Sequence, residues 1–239
     1  LRFGAKLRDL PMLYFMKTDS RIRPFIVAGM TALALSACGD KDKPTPGSTA
    51  ATGQYEVAGD HAIGNADAKV TVVEYASVTC GHCASFHTTV YGDFKEKYID
   101  SGKVRFVFRE FPTSPENLAR AGFLIANCAP EEKFFENISL QFKKQRSILT
   151  SSDIRSEYVN IAKTAGLSEA EFEACMVNEE ENKKYDAVVQ AGIDAGVTGT
   201  PTFFINGEQV KRTPSGKQLF TLESFDEVLA PLLGEDAPA

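Results

Sequence analysis

Two segments of the chain alternate between apolar and polar residues, which is the pattern of a half-buried β-strand. They cover residues 69–77 (KVTVVEYAS) and residues 103–111 (KVRFVFREF), and both are rich in β-branched or aromatic side chains. Every second residue of the first segment falls on one face of the predicted strand: Val70, Val72, Glu74 and Ala76. Pro112 ends the second strand, because proline has no N–H to donate to a neighbouring strand.

A helix is predicted between these strands, over residues 84–98. Its apolar side chains recur every four residues and form one stripe: Phe86, Val90, Phe94 and Tyr98. Residues 114–195 contain few β-branched runs and predict four or five further helices. Each predicted start combines a capping residue or an early proline with an acidic residue. These starts are at residues 114–116, 130–132, 152–153 and 168–169.

The C-terminal part of the chain predicts a hairpin and a final helix. Residues 202–205 and 208–210 flank Asn206-Gly207, a dipeptide typical of two-residue turns. A helix follows, and its apolar face is formed by Leu222, Phe225, Val228, Leu229, Leu232 and Leu233. The predicted order is strand, helix, strand, several helices, hairpin and helix. His61 is expected in a loop before the first strand.

The composition is that of an ordinary globular protein. The 239 residues include 26 basic and 32 acidic side chains, and 43% of the residues are apolar. These values exclude a disordered, a fibrous and a polytopic membrane protein. The net charge is −6, and the first 37 residues are basic, so the remainder is more acidic than the whole. A nucleic-acid partner is therefore not expected.

The N-terminal region has the features of an export signal. Residues 24–37 form an uncharged run directly behind two arginines, and this run fits a secretory signal better than a bilayer span. The sequence LSAC at residues 35–38 resembles the lipobox of bacterial lipoproteins, in which Cys38 becomes the lipidated first residue. The alternative is an ordinary cleaved signal with an incidental cysteine. We expect residues 1–37 to be a signal peptide, with Met16 as a second candidate start.

A flexible tether is expected after Cys38. Residues 38–54 are rich in Gly, Pro, Ser, Thr and Ala and contain no large apolar side chain, so they cannot form a core. A lipid at Cys38 would anchor the following domain to a membrane on the side that secretion reaches. That side is oxidising, and disulfides persist there.

The motif Cys80-Gly81-His82-Cys83 directly follows the first predicted strand and precedes the predicted helix. A CxxC motif alone is weak evidence, because it occurs in zinc sites, in redox sites and by chance. Here Cys80 falls at a helix N-terminus, where unpaired N–H groups and the helix dipole stabilise a thiolate. His82 can add a positive charge or a hydrogen bond. A stabilised thiolate makes the corresponding disulfide a stronger oxidant.

A second motif, Gly199-Thr200-Pro201-Thr202-Phe203, lies directly before the predicted hairpin. The strand, the CGHC motif, the helix and this TP segment together resemble the thioredoxin superfamily. The resemblance implies that Pro201 is cis and packs opposite the active-site disulfide, and that Thr200 and Pro201 present backbone to substrate. The alternative for Pro201 is a trans proline at the start of an edge strand.

The helices between the second strand and the TP segment resemble the insertion of DsbA-like thiol oxidoreductases. The implied fold class is α/β, a thioredoxin fold with an inserted all-helical subdomain. Its core would comprise residues 55–112 and 187–239, and the insertion would comprise residues 113–186.

Glu74 lies six residues before Cys80, at the position where DsbA-like proteins have a buried acid near the disulfide. The resemblance implies that Glu74 accepts a proton from Cys83. The alternative is a strand that ends early and leaves Glu74 solvated. Some relatives pair this acid with a buried lysine, but residues 104–111 of the second predicted strand contain none. Arg105 and Arg109 are the candidate replacements.

Cys128 and Cys175 both fall in the predicted insertion. In an oxidising compartment two cysteines outside the active site are best interpreted as a structural disulfide that joins helices. Two independent buried thiols are an alternative, and so is a second redox-active pair, although neither cysteine belongs to a CxxC motif.

The resemblance implies a periplasmic thiol–disulfide oxidoreductase that donates its Cys80–Cys83 disulfide to folding proteins and needs no cofactor. Its implied partners are secreted or periplasmic proteins with thiols and a DsbB-like membrane protein that reoxidises the dithiol. One alternative is a reductase or isomerase of the same fold. Another is a metal-binding module that uses Cys80, Cys83, His82 and His87, although no metal is expected.

Overall fold

The structure of the protein, a computed structural model, describes residues 55–235. Three expectations lie outside the described residues: the signal segment 1–37, lipidation at Cys38 and the tether 38–54.

A five-stranded mixed sheet with the order β1-β3-β2-β4-β5 forms the centre of the described part. β2 runs parallel to β3 and antiparallel to β4, which makes it the central strand. β1 and β5 are the edge strands, and each is antiparallel to its neighbour. The strands are β1 (His61–Ile63), β2 (Val70–Ala76), β3 (Val104–Glu110), β4 (Thr202–Ile205) and β5 (Glu208–Val210).

β1 corrects the expectation that His61 lies in a loop. The strand pairs His61 with Phe108 and Ile63 with Phe106. Three residues are too few for an alternating pattern to be recognised in the sequence.

Alternation along the strands separates the two faces of the sheet. One face contributes to the main core, and its residues are Val70, Val72, Ala76, Phe106 and Phe108. The other face contributes Val73, Tyr75 and Val107 to a smaller cluster. Glu74 lies on the first face, where it is fully buried between Phe108 and Phe203 on the neighbouring strands. The alternative of a solvated Glu74 is therefore wrong.

The helix predicted over residues 84–98 begins earlier than expected and is interrupted. α1 (Gly81–Thr89) begins directly after Cys80, which is its N-cap residue. It is followed by the short helix α2 (Tyr91–Phe94) and by a π-helical turn (Lys95–Ile99). The CGHC motif therefore occupies the first turn of α1.

The interruption falls at Val90, whose backbone angles of φ −123° and ψ −41° are not helical. The hydroxyl groups of Thr88 and Thr89 bond to carbonyl oxygens of Ala84 and Ser85, one turn back. Such bonds, together with the β-branched side chains of this segment, weaken a helix end. The predicted apolar stripe is nevertheless buried in the core: Phe86, Val90, Phe94 and Tyr98.

Five α-helices lie between β3 and β4 in the described chain. Asp153 caps α5, and Ser168 caps α6 in a reciprocal capping box with Glu171, at two of the predicted starts. A 3-10 turn over Glu131–Lys133 precedes α4, and α7 continues through the expected domain boundary at residue 187. The helices are α3 (Glu116–Cys128), α4 (Phe134–Thr150), α5 (Ile154–Thr164), α6 (Glu169–Met176) and α7 (Glu179–Asp194).

The inserted helices have a hydrophobic cluster of their own. Its buried residues include Ile125, Ile148, Tyr158, Ile161 and Phe172. A disulfide joins Cys128, at the end of α3, to Cys175 of α6, with the two Cα atoms 6.2 Å apart.

The final helix, α8 (Leu222–Leu233), begins at a capping box formed by Thr221 and Ser224. Phe225 and Leu229 bury its apolar face in the main core. Within residues 55–235, no helix has both the length and the apolar character that crossing a bilayer requires.

Candidate active site

The first cysteine of the CGHC motif lies where β2 ends and α1 begins. As the N-cap residue, Cys80 has extended backbone angles of φ −83° and ψ 122°, and its side chain is half-buried. The free N–H groups of the first helical turn surround this position. The first turn of α1 contains no acidic residue, so no like charge there opposes a thiolate.

The TP segment lies directly beside this cysteine, although it is 120 residues further along the chain. The Cys80 thiol donates a hydrogen bond to the Thr200 carbonyl oxygen, with 3.2 Å between sulfur and oxygen. The Thr200–Pro201 peptide bond is cis. Antiparallel pairing of β4 with β2 brings the two segments together, since Thr202 lies opposite Tyr75.

Hydrogen bonds lower the pKa of Cys80 to about 5. The largest contribution comes from the Cys83 thiol, and burial opposes it. The Thr200 side chain and the backbone N–H groups of Cys83 and His82 lower the pKa further. The buried Thr200 hydroxyl has no other hydrogen-bond partner among the described residues, so it is free to donate to a thiolate. At neutral pH Cys80 is therefore a thiolate in the reduced protein.

Cys83 has the opposite character. It is fully buried, and burial is the main reason why its pKa lies well above that of an ordinary thiol. The hydrogen bond that the Cys83 thiol donates to Cys80 and the nearby charge of Glu74 raise this pKa further. The two sulfurs of one motif therefore differ in both exposure and acidity, as an exchange reaction that begins at one of them requires.

Glu74 forms a buried pair with His87. The Glu74 Oε2 and His87 Nε2 atoms are 2.8 Å apart, and the two side chains are 0% and 2% exposed. The His87 ring stacks on Phe142 of α4, and it also contacts Phe86, Phe108 and Tyr91. Aromatic rings thus surround the pair. Three polar atoms in this group have no hydrogen-bond partner among the described residues: Glu74 Oε1, His87 Nδ1 and Tyr91 Oη.

The expectation that Arg105 or Arg109 pairs with Glu74 is wrong. Arg105 is bonded to Glu56 at 2.7 Å and Arg109 to Asp60 at 2.7 Å. Strand alternation explains this result, because both arginines lie on the opposite face of β3 from Phe108, the neighbour of Glu74. The partner of the acid is a histidine of the catalytic helix.

The sequence contained a signal for this pairing that sequence reasoning missed. His87 follows Cys83 by four residues, which places both on the same face of α1. We considered that spacing only for a metal site. Since Cys83 faces the core, His87 has to be buried beside it and needs a polar partner.

Among the described residues, no hydrogen bond joins the His82 ring to the Cys80 sulfur, and the ring lies against another aromatic side chain. Its exposed side chain stacks on Phe220, with 5.8 Å between ring centroids and an angle of 19° between the planes. The contribution of His82 to the Cys80 thiolate comes from its backbone N–H group.

A second residue that sequence reasoning missed, Gln145 of α4, fixes the backbone at the site. Its Nε2 atom donates to the carbonyl oxygens of Val78 and Cys80, at 2.8 and 3.0 Å. The inserted helices therefore hold the loop that carries the reactive cysteine. The signal was a series of amide side chains at four-residue spacing on the buried face of α4, where polar groups need partners: Asn137, Gln141 and Gln145.

The arrangement of the described residues does not resemble a metal centre. Among residues 55–235, no group of three or more His, Cys, Asp or Glu side chains could hold a metal ion. His82 stacks on Phe220 at the surface, whereas His87 is buried against Glu74.

Comparison with known proteins identifies the family. A family model described as thioredoxin matches residues 56–222. The chain therefore belongs to the thioredoxin family, and the topology and the position of the CGHC motif agree with this assignment.

Relatives and solved structures show which members of this family the chain resembles. A Rickettsia bellii protein named as a protein-disulfide oxidoreductase is 32% identical over 154 residues, which are 64% of this chain and 59% of that protein. The chain thus spans less than two thirds of the length of this relative. The crystal structure of α-DsbA1 from Wolbachia pipientis is 28% identical, with a TM-score of 0.65, and the match covers 75% of this chain and 93% of that one.

The fold is also shared with BdbD from Bacillus subtilis in its oxidised form. That structure is 21% identical, with a TM-score of 0.64, and the match covers 77% of this chain and 97% of that one. The thioredoxin fold with inserted helices, expected from the sequence, is confirmed by these matches.

Proposed function

We propose that the protein is a thiol–disulfide oxidoreductase of the DsbA type that donates the Cys80–Cys83 disulfide to thiol-containing proteins. The observation that carries this proposal is the contrast between the two sulfurs. Cys80 is accessible, with a pKa lowered to about 5 by hydrogen bonds from Cys83 and its surroundings, and Cys83 is buried with a raised pKa. A stabilised Cys80 thiolate favours the dithiol over the disulfide, which makes the disulfide oxidising.

The reaction begins at Cys80. A substrate thiolate attacks the Cys80 sulfur, the Cys80–Cys83 bond breaks, and a mixed disulfide forms between the substrate and Cys80 while Cys83 leaves as a thiolate. A second substrate thiolate then attacks the substrate sulfur of the mixed disulfide. The substrate is oxidised to a disulfide, and Cys80 leaves as a stabilised thiolate. The backbone of Thr200 and Pro201 lies beside Cys80 and positions the substrate peptide.

Glu74 exchanges a proton with Cys83, and His87 holds Glu74 in position for this exchange. A buried Cys83 thiolate is unfavourable, so as it is released it takes up a proton through Glu74, which regains that proton from water. When the dithiol is reoxidised, Cys83 passes its proton to Glu74, which releases it to water. His87 holds the second carboxylate oxygen at 2.8 Å and thereby keeps the acid in place inside a shell of aromatic side chains. In this proposal Glu74 acts as the acid–base residue, and His87 is its positioning residue.

The proposal includes a location and partners. We expect a periplasmic protein, anchored through a lipid at Cys38, which oxidises secreted proteins and is reoxidised by a membrane protein of the DsbB type. The export features of residues 1–37 support this location. Metabolic labelling with a fatty acid tests the anchor: incorporation that disappears in a Cys38→Ala variant supports it, and labelling that is absent from both proteins excludes it.

The equilibrium reduction potential of the Cys80–Cys83 pair tests the direction of the reaction. Titration against glutathione is expected to give a value near the oxidising end of the superfamily, about −120 mV for DsbA, rather than near about −270 mV for thioredoxin. A value at the reducing end would overturn the oxidase proposal and favour a tethered reductase. Efficient rearrangement of a scrambled substrate without net oxidation would instead favour an isomerase.

A further inference from the structure

A second site lies in a cavity that none of the catalytic side chains lines. Its volume is about 460 Å³, within the range of small-molecule pockets. Segment 57–59, the end of β3 and helices α3 and α7 enclose it. Most of the wall is apolar, and the exposed alanines of α7 leave it open to solvent. The residues that matter for the argument are His61, Glu110, Asn127, Tyr185, Val188 and Ala191.

Glu110 is the unusual group in this wall. It is the last residue of β3, its side chain is only 3% exposed, and its Oε1 atom has no hydrogen-bond partner among the described residues. A buried acceptor without a donor is costly for the folded protein. Burial raises the pKa of Glu110 to about 7, Asn127 opposes this change, and the charge of Glu181 adds to it.

No neighbouring polar group of the described residues donates a hydrogen bond to Glu110 Oε1. His61 Nε2 and Asn127 Oδ1 are 3.1 Å apart, and the His61 ring stacks on Phe134. The Asn127 amide also bonds to Glu110, so it joins the acid to His61. Burial lowers the pKa of His61, which is therefore neutral near pH 7. The Tyr185 phenol, whose pKa is raised by burial, also remains neutral.

The charge around the cavity is negative. Glu181 lines its wall beside Glu110, and the basic residue of the wall, Lys184, is already bonded to Glu180 and Glu181 at 3.0 and 2.8 Å. A cation that entered the cavity would meet two carboxylates and one lysine that is already paired. An anion would meet the same two carboxylates, and the lysine of the wall is already paired.

We propose that this cavity binds a small molecule with one ammonium group on an apolar body, and that the ammonium group donates a hydrogen bond to Glu110 Oε1. The apolar body lies against Val188 and the alanines of α7. The bond supplies the missing donor to a buried carboxylate, and charge-assisted bonds of this kind are stronger than neutral ones. The same group occurs at the end of a lysine side chain, so the test includes a lysine probe.

Protein-observed NMR with three probes tests the site on the chain as it exists. Hexylammonium chloride is expected to shift the amide signals of Glu110, Tyr185 and Ala191 in a saturable way, and hexan-1-ol, of the same length, is expected to bind at least about tenfold more weakly. Nα-acetyl-lysine methylamide, which carries the ammonium group on a polar backbone, is expected to bind more weakly than hexylammonium. Tighter binding of the lysine probe would overturn the assignment to a small amine.

The pH dependence provides a second readout. Only the ionised acid forms the proposed bond, and about one tenth of Glu110 is ionised at pH 6 compared with about nine tenths at pH 8, for a pKa of about 7. The raised pKa values of Tyr185 and Lys184 keep their charges unchanged over this range, and the lowered pKa of His61 favours its neutral form. The affinity for hexylammonium is therefore expected to rise about tenfold between pH 6 and pH 8. Equal affinity at both pH values would contradict the proposal.

Two variants distinguish the contribution of the bond to Glu110 from that of the apolar contacts in the cavity. Glu110→Gln keeps the shape of the side chain and is expected to weaken hexylammonium binding to the level of hexan-1-ol. Ala191→Leu, at an exposed helical position that tolerates a larger residue, fills the cavity and is expected to weaken both probes. If Glu110→Gln fails to fold, the pH series and Ala191→Leu still decide the question. Undiminished hexylammonium binding in either folded variant, or no binding to the wild type, would overturn the proposal.

The melting temperature of Glu110→Gln provides a check without any ligand. A raised pKa means that the folded protein prefers the protonated acid, so the stability that Glu110 contributes is present at low pH and is lost as the pH rises through about 7. The variant is expected to melt at a higher temperature than the wild type at pH 8 and to lose this advantage at pH 5. An equal difference at both pH values would show that Glu110 is not a strained acid.

Discussion

Residues 55–235 contain two pairs of cysteines, and the surroundings of the two pairs differ in almost every respect. Cys80 and Cys83 lie in one helical turn at the end of the central strand, with one sulfur accessible and one buried. Cys128 and Cys175 are 47 residues apart and join α3 to α6 beside a separate hydrophobic cluster.

The difference indicates what the proposed redox role of Cys80 and Cys83 requires. Hydrogen bonds from Cys83, Thr200 and the backbone stabilise a thiolate at Cys80, whereas burial and the charge of Glu74 act against a thiolate at Cys83. This asymmetry gives the exchange reaction a defined first sulfur and a defined leaving group. The Cys128–Cys175 pair joins two inserted helices and not the segments that carry Glu74 and Thr200. We therefore expect its role to be structural.

Replacement of the accessible sulfur is the strongest test of the comparison. Cys80→Ser is expected to abolish oxidation of a reduced test protein, because the variant cannot form the Cys80–Cys83 disulfide that serves as the oxidant. Cys83→Ser is expected to accumulate mixed disulfides at Cys80, which mass spectrometry detects. Full turnover by Cys80→Ser would contradict the assignment of roles.

Loss of the Cys128–Cys175 disulfide should lower the free energy of unfolding and leave turnover unchanged. In the double variant Cys128→Ala/Cys175→Ala, the unfolded chain regains the freedom of a loop of 47 residues. The free energy of unfolding is expected to fall by at most about 4 kcal/mol, measured by urea denaturation. Turnover per folded molecule should stay unchanged, and a large loss of turnover would reveal a redox role for this pair.

Replacement of Glu74 or His87 should slow turnover less than replacement of Cys80 does. Glu74→Gln and His87→Phe are each expected to slow turnover by about a hundredfold, the lower end of the range for general acid–base catalysis. Glu74→Gln should also lower the pKa of Cys83, because the charge of Glu74 raises it in the wild type. Thiol alkylation measured as a function of pH reports this change.

Tyr91→Phe is the matched control for these two variants. It removes a buried hydroxyl without a partner from the same polar group but leaves Glu74 and His87 in contact. We expect normal turnover, and a loss as large as that of His87→Phe would mean that packing, rather than proton transfer, is responsible.

The smallest predicted effect is on the pH dependence of the reduction potential. Above the Cys80 pKa of about 5, reduction of the disulfide takes up two electrons and one proton, because Cys80 remains a thiolate and Cys83 is protonated. The potential should fall by about 30 mV for each pH unit, and below pH 5 by about 59 mV.

The same asymmetry affects the stability of the reduced form. Because the pKa of Cys80 is depressed, the stability gained from its thiolate is fully present above pH 9 and is lost as the pH falls towards 5.

A reduction potential that falls by about 59 mV per pH unit at pH 7 would contradict the low pKa of Cys80.

Local patterns account for the parts that the sequence predicted well. β2, β3, the hairpin at Asn206-Gly207 and α8 each have an apolar period that a single window of sequence contains. The position of Cys80 at a helix start follows from the same local information, because a strand precedes the CGHC motif and a helix follows it.

Contacts between distant segments account for what was missed. The Glu74–His87 pair depends on how α1 lies across β2, and the bond from Gln145 depends on how the insertion docks against α1. The break at Val90 is an exception, because it depends on local hydroxyl bonds within one helical turn, which the apolar period does not reveal. Glu110 appeared to be an ordinary polar residue near a strand end, and only its surroundings in the fold reveal that it is buried without a donor.

The distance along the chain between Cys80 and Thr200 has a consequence for synthesis. A growing chain completes β2, the CGHC motif and all five inserted helices before β4 exists, yet β4 is the strand that brings the TP segment to the central strand. Contacts between such distant segments form late in folding. A chain released before residue 200 therefore carries both cysteines of the CGHC motif but lacks the Thr200 side of the site. Thr200, Pro201 and β4 thus complete the site only after β2, the CGHC motif and the inserted helices have been made.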